Sequence, residues 1–214
     1  MDIDFMIASI PKYANATILT LYLAFVGIIL SIIIGLFCSL VIYYKINFLS
    51  FFVKIYIELS RNTPLLIQLI FLHFGLKIEA HLSAMIGLAF LGGSYMAEAF
   101  RSGLESVEKI QIESGLSVGL TKIQLIFYVI LPQAFIVAIP ALGANIIFLL
   151  KETSIVSVVA LADLVYVAKD IMGSVYKTNE ALFMLVVAYL IILLPISLLI
   201  SYIEKKARYA TFGN

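Results

Sequence analysis

The chain has 214 residues, of which 63% are hydrophobic and 13% charged. That leaves too little polar side chain to cover a soluble globule of this length, so the composition points to an integral membrane protein. A net charge of +1 argues against a nucleic-acid partner, and the lone cysteine, Cys38, excludes an internal disulfide and reads as an inert packed thiol.

Uncharged runs locate the spans. Those between Lys12 and Lys45 (32 residues), Lys122 and Lys151 (28) and Glu180 and Glu204 (23) exceed the roughly 20 residues that a helix needs to cross a bilayer. Shorter runs between Arg61 and Lys77 (15) and between His81 and Glu98 (16) complete a crossing by taking in polar residues at one end. The expected fold is all-α: a polytopic membrane protein with five transmembrane helices, residues 1–214 forming one transmembrane domain. With the N-terminus outside, nine Lys and Arg fall inside (Lys45, Lys54, Arg61, Arg101, Lys109, Lys122, Lys205, Lys206, Arg208). Five fall outside (Lys12, Lys77, Lys151, Lys169, Lys177). The positive-inside rule then predicts an external N-terminus and a cytoplasmic C-terminus.

The first span is expected over about 14–44, with Pro11 just before it. Its apolar stretch is too long for a signal peptide and no basic segment precedes it. Gly27, Ser31, Gly35 and Ser39 line one face at four-residue spacing, which permits close approach of a neighbouring helix, here expected from the same chain. The second span has to start near Phe51, carrying Lys54, Glu58 and Arg61 into its inner end. These share a helical stripe, so Glu58 can pair with both cations, and near the span's end the charges can also simply snorkel. Such charges are either pathway groups or structural ion pairs. Thr63-Pro64 either begins a new helix, Thr as cap and Pro at its first position, or kinks a continuous one.

The third span is expected over about 82–100. Ala89, Gly93 and Ala97 form a second small-residue stripe, and Glu98 and Arg101 form a structural pair at its inner end. His73 and His81 have no ligand company, so no metal site is expected. Residues 102–128 form an inner connector. Gly115 and Gly119 cost roughly 1 kcal/mol each in a helix interior, so two short helices with a turn are expected here. The fourth span, about 128–150, is expected to be interrupted by Pro132 and Pro140. The segment 155–167 is too apolar for a free loop and reads as a short, partly re-entrant helix that brings Asp163 near a pathway. The last span covers about 181–203 and contains Pro195.

Three ordered motifs carry a resemblance. Glu113-Ser114-Gly115 with Gly119 and Ile130-Leu131-Pro132 resembles the Glu-Ala-Ala-x-x-x-Gly loop (the EAA loop) of ABC-transporter permease subunits, Ser114 and Gly115 replacing the alanines. Glu58-Leu-Ser-Arg61-Asn62-Thr63-Pro-Leu-Leu resembles the Glu-x-x-Arg-Gly-Thr-Pro-Leu-Leu segment of polar amino acid permeases, with Asn62 for glycine. Leu150-Lys151-Glu152-Thr153-Ser154 resembles that subfamily's Leu-Lys-Asp-Thr-Ser. The resemblance, to the histidine/glutamine-type permeases, implies the permease subunit of a type I importer for polar amino acids in the bacterial cytoplasmic membrane. It implies coupling through Glu113, Ser114, Gly115 and Gly119 to two ATP-binding subunits, which would hold ATP and magnesium. It further implies a second permease, identical or homologous, and an extracytoplasmic solute-binding protein. Arg61, Asn62, Thr63, Glu152, Thr153, Ser154 and Asp163 become candidates for the solute pathway, and Lys54, Glu58, Glu98 and Arg101 for structural ion pairs.

The chain itself is not expected to be an enzyme. A P-loop needs Gly-Lys, and none of the twelve glycines precedes a lysine. The competing functional reading is a secondary transporter of a small polar solute, driven by an ion gradient through Glu58, Glu98 or Asp163. A structural membrane subunit that carries no solute is the third.

Overall fold

A computed structural model describes the backbone of residues 1–212 and the side chains of residues 1–207, so the Arg208 side chain lies outside the described residues. The helices are α1 (Ile3–Tyr43), α2 (Asn47–Arg61), α3 (Leu65–Ile70), α4 (Ala80–Glu105), α5 (Lys109–Ser117), α6 (Lys122–Leu125), α7 (Leu131–Glu152), α8 (Leu164–Ser174) and α9 (Thr178–Phe212). Wide π turns extend α3 (Phe71–Gly75) and join α6 to α7 (Ile126–Ile130), and a 3-10 turn (Thr153–Val159) follows α7.

Four helical stretches are long and apolar enough to cross a membrane: 3–43, 80–105, 122–159 and 178–207. The fifth crossing is a broken one. Lys54 shares a cleft with Arg101 and Glu105, Ser60 meets Ser94, and Leu65 and Leu69 meet Gly87. Residues 47–75 therefore run antiparallel along α4, with an interruption at Asn62–Pro64. The five-span architecture stands, but the second span starts earlier than the expected Phe51 and consists of two pieces. Pro64 explains the interruption: it has no N–H to give the Ser60 carbonyl one turn back, and its ring clashes there.

α4 is the central helix. Within its apolar window 61% of residues are buried, against 11% in α9. It reaches that position because the α1 stripe of small residues lies on the α1–α4 seam, while Gly93 of the second stripe faces both Ile34 of α1 and Tyr56 of α2. A methyl group on Gly27 would come within 2.8 Å of Leu88, and one on Gly35 would overlap Met96 and the α4 backbone. Ser31 donates to Gly27 O at 2.6 Å, so its hydroxyl enters the seam without an unmet hydrogen bond. The main core, with Leu23, Leu69, Leu88, Met96 and Leu149 fully or almost fully buried, fills the space between α1, α3, α4 and α7.

The prolines do not break the fourth span as expected. Pro132 sits in the first turn of α7, just after the π turn, where Leu131 N bonds Ile126 O five residues back. The wider turn accommodates a residue that cannot donate. Pro140 and Pro195 lie inside continuous helices, as membrane helices tolerate. α1 likewise begins at Ile3, not near Ala14, and runs through Pro11.

Candidate functional site

At one end of the bundle α5 and α6 pack as a short helical hairpin below α4 and α7. Leu104, Val107, Leu125, Ile130 and Ala134 form a buried cluster there, and Gly103 lies against the Ala134 carbonyl so closely that a side chain at 103 could not fit. The expected two helices with a turn are present. Their two glycines have different reasons. Gly115 is the contact point of the hairpin, where a methyl group would overlap Leu125. Gly119 has open space around it but a φ of +87°, which makes the turn. Thr121 then caps α6, accepting from Gln124 N at 3.3 Å while Gln124 Oε1 accepts from Thr121 N at 2.9 Å. Residues 102–105 belong to α4, so the connector proper starts at Ser106. Glu113 and Ser114 are exposed, flanked by exposed Ile110, Leu116 and Val118. The hairpin thus carries an uncovered face with an acidic group at its centre.

Midway along the bundle, the interruption in the second span faces α4 and α7. The Arg61 guanidinium carbon stands 5.4 Å from the Tyr95 ring centroid, a cation–π contact. The Tyr95 carbonyl accepts from Asn145 Nδ2 of α7 at 3.1 Å, and its ring packs on Phe148 at 5.1 Å. Among the described residues no carboxylate lies within salt-bridge distance of Arg61. Asn62 donates to Glu58 O and to Glu58 Oε2 at 2.8 and 3.1 Å, and the Thr63 hydroxyl donates back to Leu59 O at 2.8 Å. Two expectations are corrected here. Glu58 pairs with neither Lys54 nor Arg61 but with Asn62, because Arg61 turns to the Tyr95 ring. Thr63 does not cap α3, because its hydroxyl is spent on the preceding turn.

The pair at the hairpin end of α4 is present and larger than expected. Arg101 donates to Glu98 at 2.7 Å and to Glu105 at 2.8 Å. Lys54 lies across the same cleft, of about 510 Å³, and forms no ion pair among the described residues.

The Leu-Lys-Glu-Thr-Ser segment ends α7. Glu152 and Ser154 are half-buried, and buried Thr153 donates to Leu150 O at 2.7 Å. The 3-10 turn that follows packs against α3, which brings this segment to the broken span's side. Asp163 is not in a re-entrant helix open to a pathway. It is fully buried as the N-cap of α8, Oδ1 accepting from Tyr166 N at 2.8 Å, while Oδ2 has no hydrogen-bond partner among the described residues. Burial pushes its carboxyl up to about 6. Outside the spans, Glu79 caps α4 and pairs with His81 at 2.9 Å; these hydrogen bonds hold its carboxyl down at about 2. Among the described residues no three His, Cys, Asp or Glu form a metal-holding group.

Sequence reasoning missed Tyr95, Gln68 and the capping role of Asp163. Asp163 had a signal, an Asp directly before an apolar helical stretch. Tyr95 and Gln68 had none, since their partners lie on other elements.

A broken membrane span beside a polar cluster, with a helical hairpin projecting at one end, fits a transport component. The comparison with protein families agrees. Residues 27–209 match the family described as "Binding-protein-dependent transport system inner membrane component", and the chain belongs to that family of multi-pass inner-membrane proteins. It is 35% identical over 213 residues to the probable amino-acid permease protein YxeN of Bacillus subtilis, covering 96% of this chain and 95% of that one. It is 37% identical over 161 residues to the probable glutamine ABC transporter permease protein GlnP of the same organism, covering 73% and 74%. Among solved structures, one described as an amino acid ABC transporter with histidines superposes with a TM-score of 0.86 at 34% identity, covering 96% of this chain and 99% of that one. An inward-facing MetNI methionine transporter shares the fold at 19% identity and a TM-score of 0.77, covering 94% and 98%.

Proposed function

We propose that this chain is the permease subunit of an ATP-driven importer for polar amino acids. It works as one of a pair of permeases, identical or homologous, with two ATP-binding subunits and an extracytoplasmic solute-binding protein. The observation that carries the reading is the hairpin of α5 and α6. It presents Glu113, Ser114 and exposed apolar residues at the end of the two helices, α4 and α7, that also hold Tyr95 and Asn145. Relatives named as amino-acid and glutamine permeases support the solute class.

The whole chain is one transmembrane domain, with the N-terminus outside and the hairpin and C-terminus in the cytoplasm. The hairpin docks in a groove of the ATPase. Gly115 seats it against Leu125 and Gly119 turns it. ATP and magnesium stay with the partner. When the ATPases close, the hairpin moves. The packed cluster of Leu104, Leu125, Ile130 and Ala134 passes that motion to α4 and α7, because close-packed interiors transmit displacement. Import requires two conformations that differ in affinity both for closed ATPase and for solute. At mid-depth Arg61, which lacks a carboxylate of its own, meets the solute carboxylate, with Asn62 and Thr63 beside it. Glu152, Thr153 and Ser154, and Asp163 once α8 moves, meet the ammonium end.

The test is affinity purification of the tagged chain from native membranes. A P-loop ATPase should co-purify with the wild type and be lost in Glu113→Lys, whose membrane fold survives. Retention of the ATPase and of full uptake in that variant removes the hairpin from coupling.

A further inference from the structure

One neutral side chain bridges the interruption in the second span. Gln68, on α3, sends its Nε2 back across the break: it donates to Thr63 O at 2.9 Å and to Ser60 O at 3.3 Å. The break leaves each carbonyl without its N–H from four residues on, and the Ser60 carbonyl keeps only the Thr63 N–H at 3.4 Å. Ser60 O would take its bond from residue 64, which is proline, and the Ile67 N–H that Thr63 O would receive goes to Pro64 O instead. The two hydrogens of one carboxamide therefore close the gap between α2 and α3.

The orientation of this amide is fixed by its partners. Reversed, its oxygen would face two carbonyl oxygens. In the observed orientation Oε1 is buried with no hydrogen-bond partner among the described residues, and the residue is only 8% exposed. Packing alone does not require this residue. Leucine or methionine would fill a similar volume without enclosing an unpaired oxygen. What glutamine adds is the tie to Ser60 and Thr63, the residues on either side of Arg61-Asn62.

We infer that Gln68 is a positioning residue for translocation, one that holds the end of α2 so that Arg61 stands over the Tyr95 ring. Other anchors of that end run to α4: Ser60 Oγ lies 2.8 Å from Phe90 O, and Tyr56 donates to the same carbonyl at 2.7 Å. Gln68 alone among these ties α2 to α3. Its loss leaves the packing on α4 in place and frees the turn that carries Arg61.

The transport part of the test rests on the importer reading; the labelling part does not. The assembly purified with its partners carries Asn62→Cys, or Phe48→Cys at the exposed start of α2 as control, with Cys38 as the buried background thiol. Gln68→Leu should speed maleimide reaction at position 62 at least fivefold and leave position 48 within twofold. Uptake of each of the twenty ¹⁴C-labelled amino acids is then measured in proteoliposomes. For any that is carried, Gln68→Leu should raise KM at least fivefold with Vmax within twofold. In an Arg61→Gln background the same change should add less than twofold. Equal labelling at 62, a rise at both positions, a fall in Vmax at constant KM, or fully additive losses with Arg61→Gln would each overturn the assignment. A wild type that carries none of the twenty removes the importer reading instead, and the labelling result then decides on Gln68 by itself.

Discussion

Replacing Asp163 by asparagine should stabilise the protein, and by an amount that depends on pH. The carboxylate is fully buried; one oxygen accepts the Tyr166 amide and the other accepts nothing. Burial raises its pKa from 3.8 to about 6. An acid whose pKa is higher in the folded state binds its proton more tightly there, so folding is favoured while both states are protonated. Stability then falls as pH rises between about 4 and 6, and the deficit is constant above that. At 1.36 kcal/mol per unit, the buried charge costs about 3 kcal/mol at pH 8. Asparagine caps a helix as well as aspartate does and carries no charge, so Asp163→Asn keeps the bond to Tyr166 and removes the cost. The gain should be near zero at pH 4 and reach its plateau above pH 6, equivalent to roughly 6–12 °C in melting temperature. Heating the detergent-purified assembly and scoring the surviving peak by size exclusion, from pH 4.5 to 8, reads it directly. An Asp163→Asn variant that melts with or below the wild type at pH 8 would show that Oδ2 has a cationic partner in the assembly, and the reasoning from an unpartnered carboxylate would be refuted.

Three further outcomes follow from the geometry. Gly35→Ala places a methyl group into Met96 and the α4 backbone; it should cost about 1–3 kcal/mol, seen as a lower melting temperature of the assembly. Gly119→Ala meets no neighbour but must hold φ at +87°; a loss of about 1 kcal/mol is expected, and Gly119→Asn should lose less in the same melt. Arg101→Ala leaves Glu98 and Glu105 facing each other without their shared cation. All three side chains are about one-third exposed or more, so the loss should stay within about 1 kcal/mol. Adding Glu98→Gln should recover part of it in a double-mutant cycle.

The features that were legible in the sequence are those set by local rules. Five crossings follow from the spacing of charges. The hairpin's turn follows from glycine at 119, and the α1–α4 seam from small residues every fourth position. Where a side chain had partners on another element, the pattern misled. Lys54, Glu58 and Arg61 do share a stripe on α2, yet they form no network. Tyr95 offers Arg61 a ring face, and Asn62 is near enough to bond Glu58. The prolines misled in the opposite sense. Pro132 and Pro140 were expected to interrupt the fourth span, whereas Pro64 alone makes a gap. Pro132 is absorbed by a π turn that wants no donor at that place. Pro64 instead has no N–H for the Ser60 carbonyl, and Asn62 and Thr63 just before it turn their side chains back to α2 carbonyls.

This arrangement also explains why an interrupted helix can sit at mid-depth at all. Backbone groups freed inside a membrane protein have to be met by protein or by water. Around residues 60–64 the protein meets most of them: Asn62 and Thr63 return to α2, Gln68 reaches back from α3, and Ser60 and Ser94 close on α4. The strong donor left over is Arg61, which among the described residues rests on the Tyr95 ring and no carboxylate. A guanidinium held by a ring is retained without a bound counter-ion and is free to exchange the ring for a carboxylate. The backbone groups of the break are thus mostly met by protein while the Arg61 charge is not, and under the importer reading proposed above this leaves room for an anionic solute group.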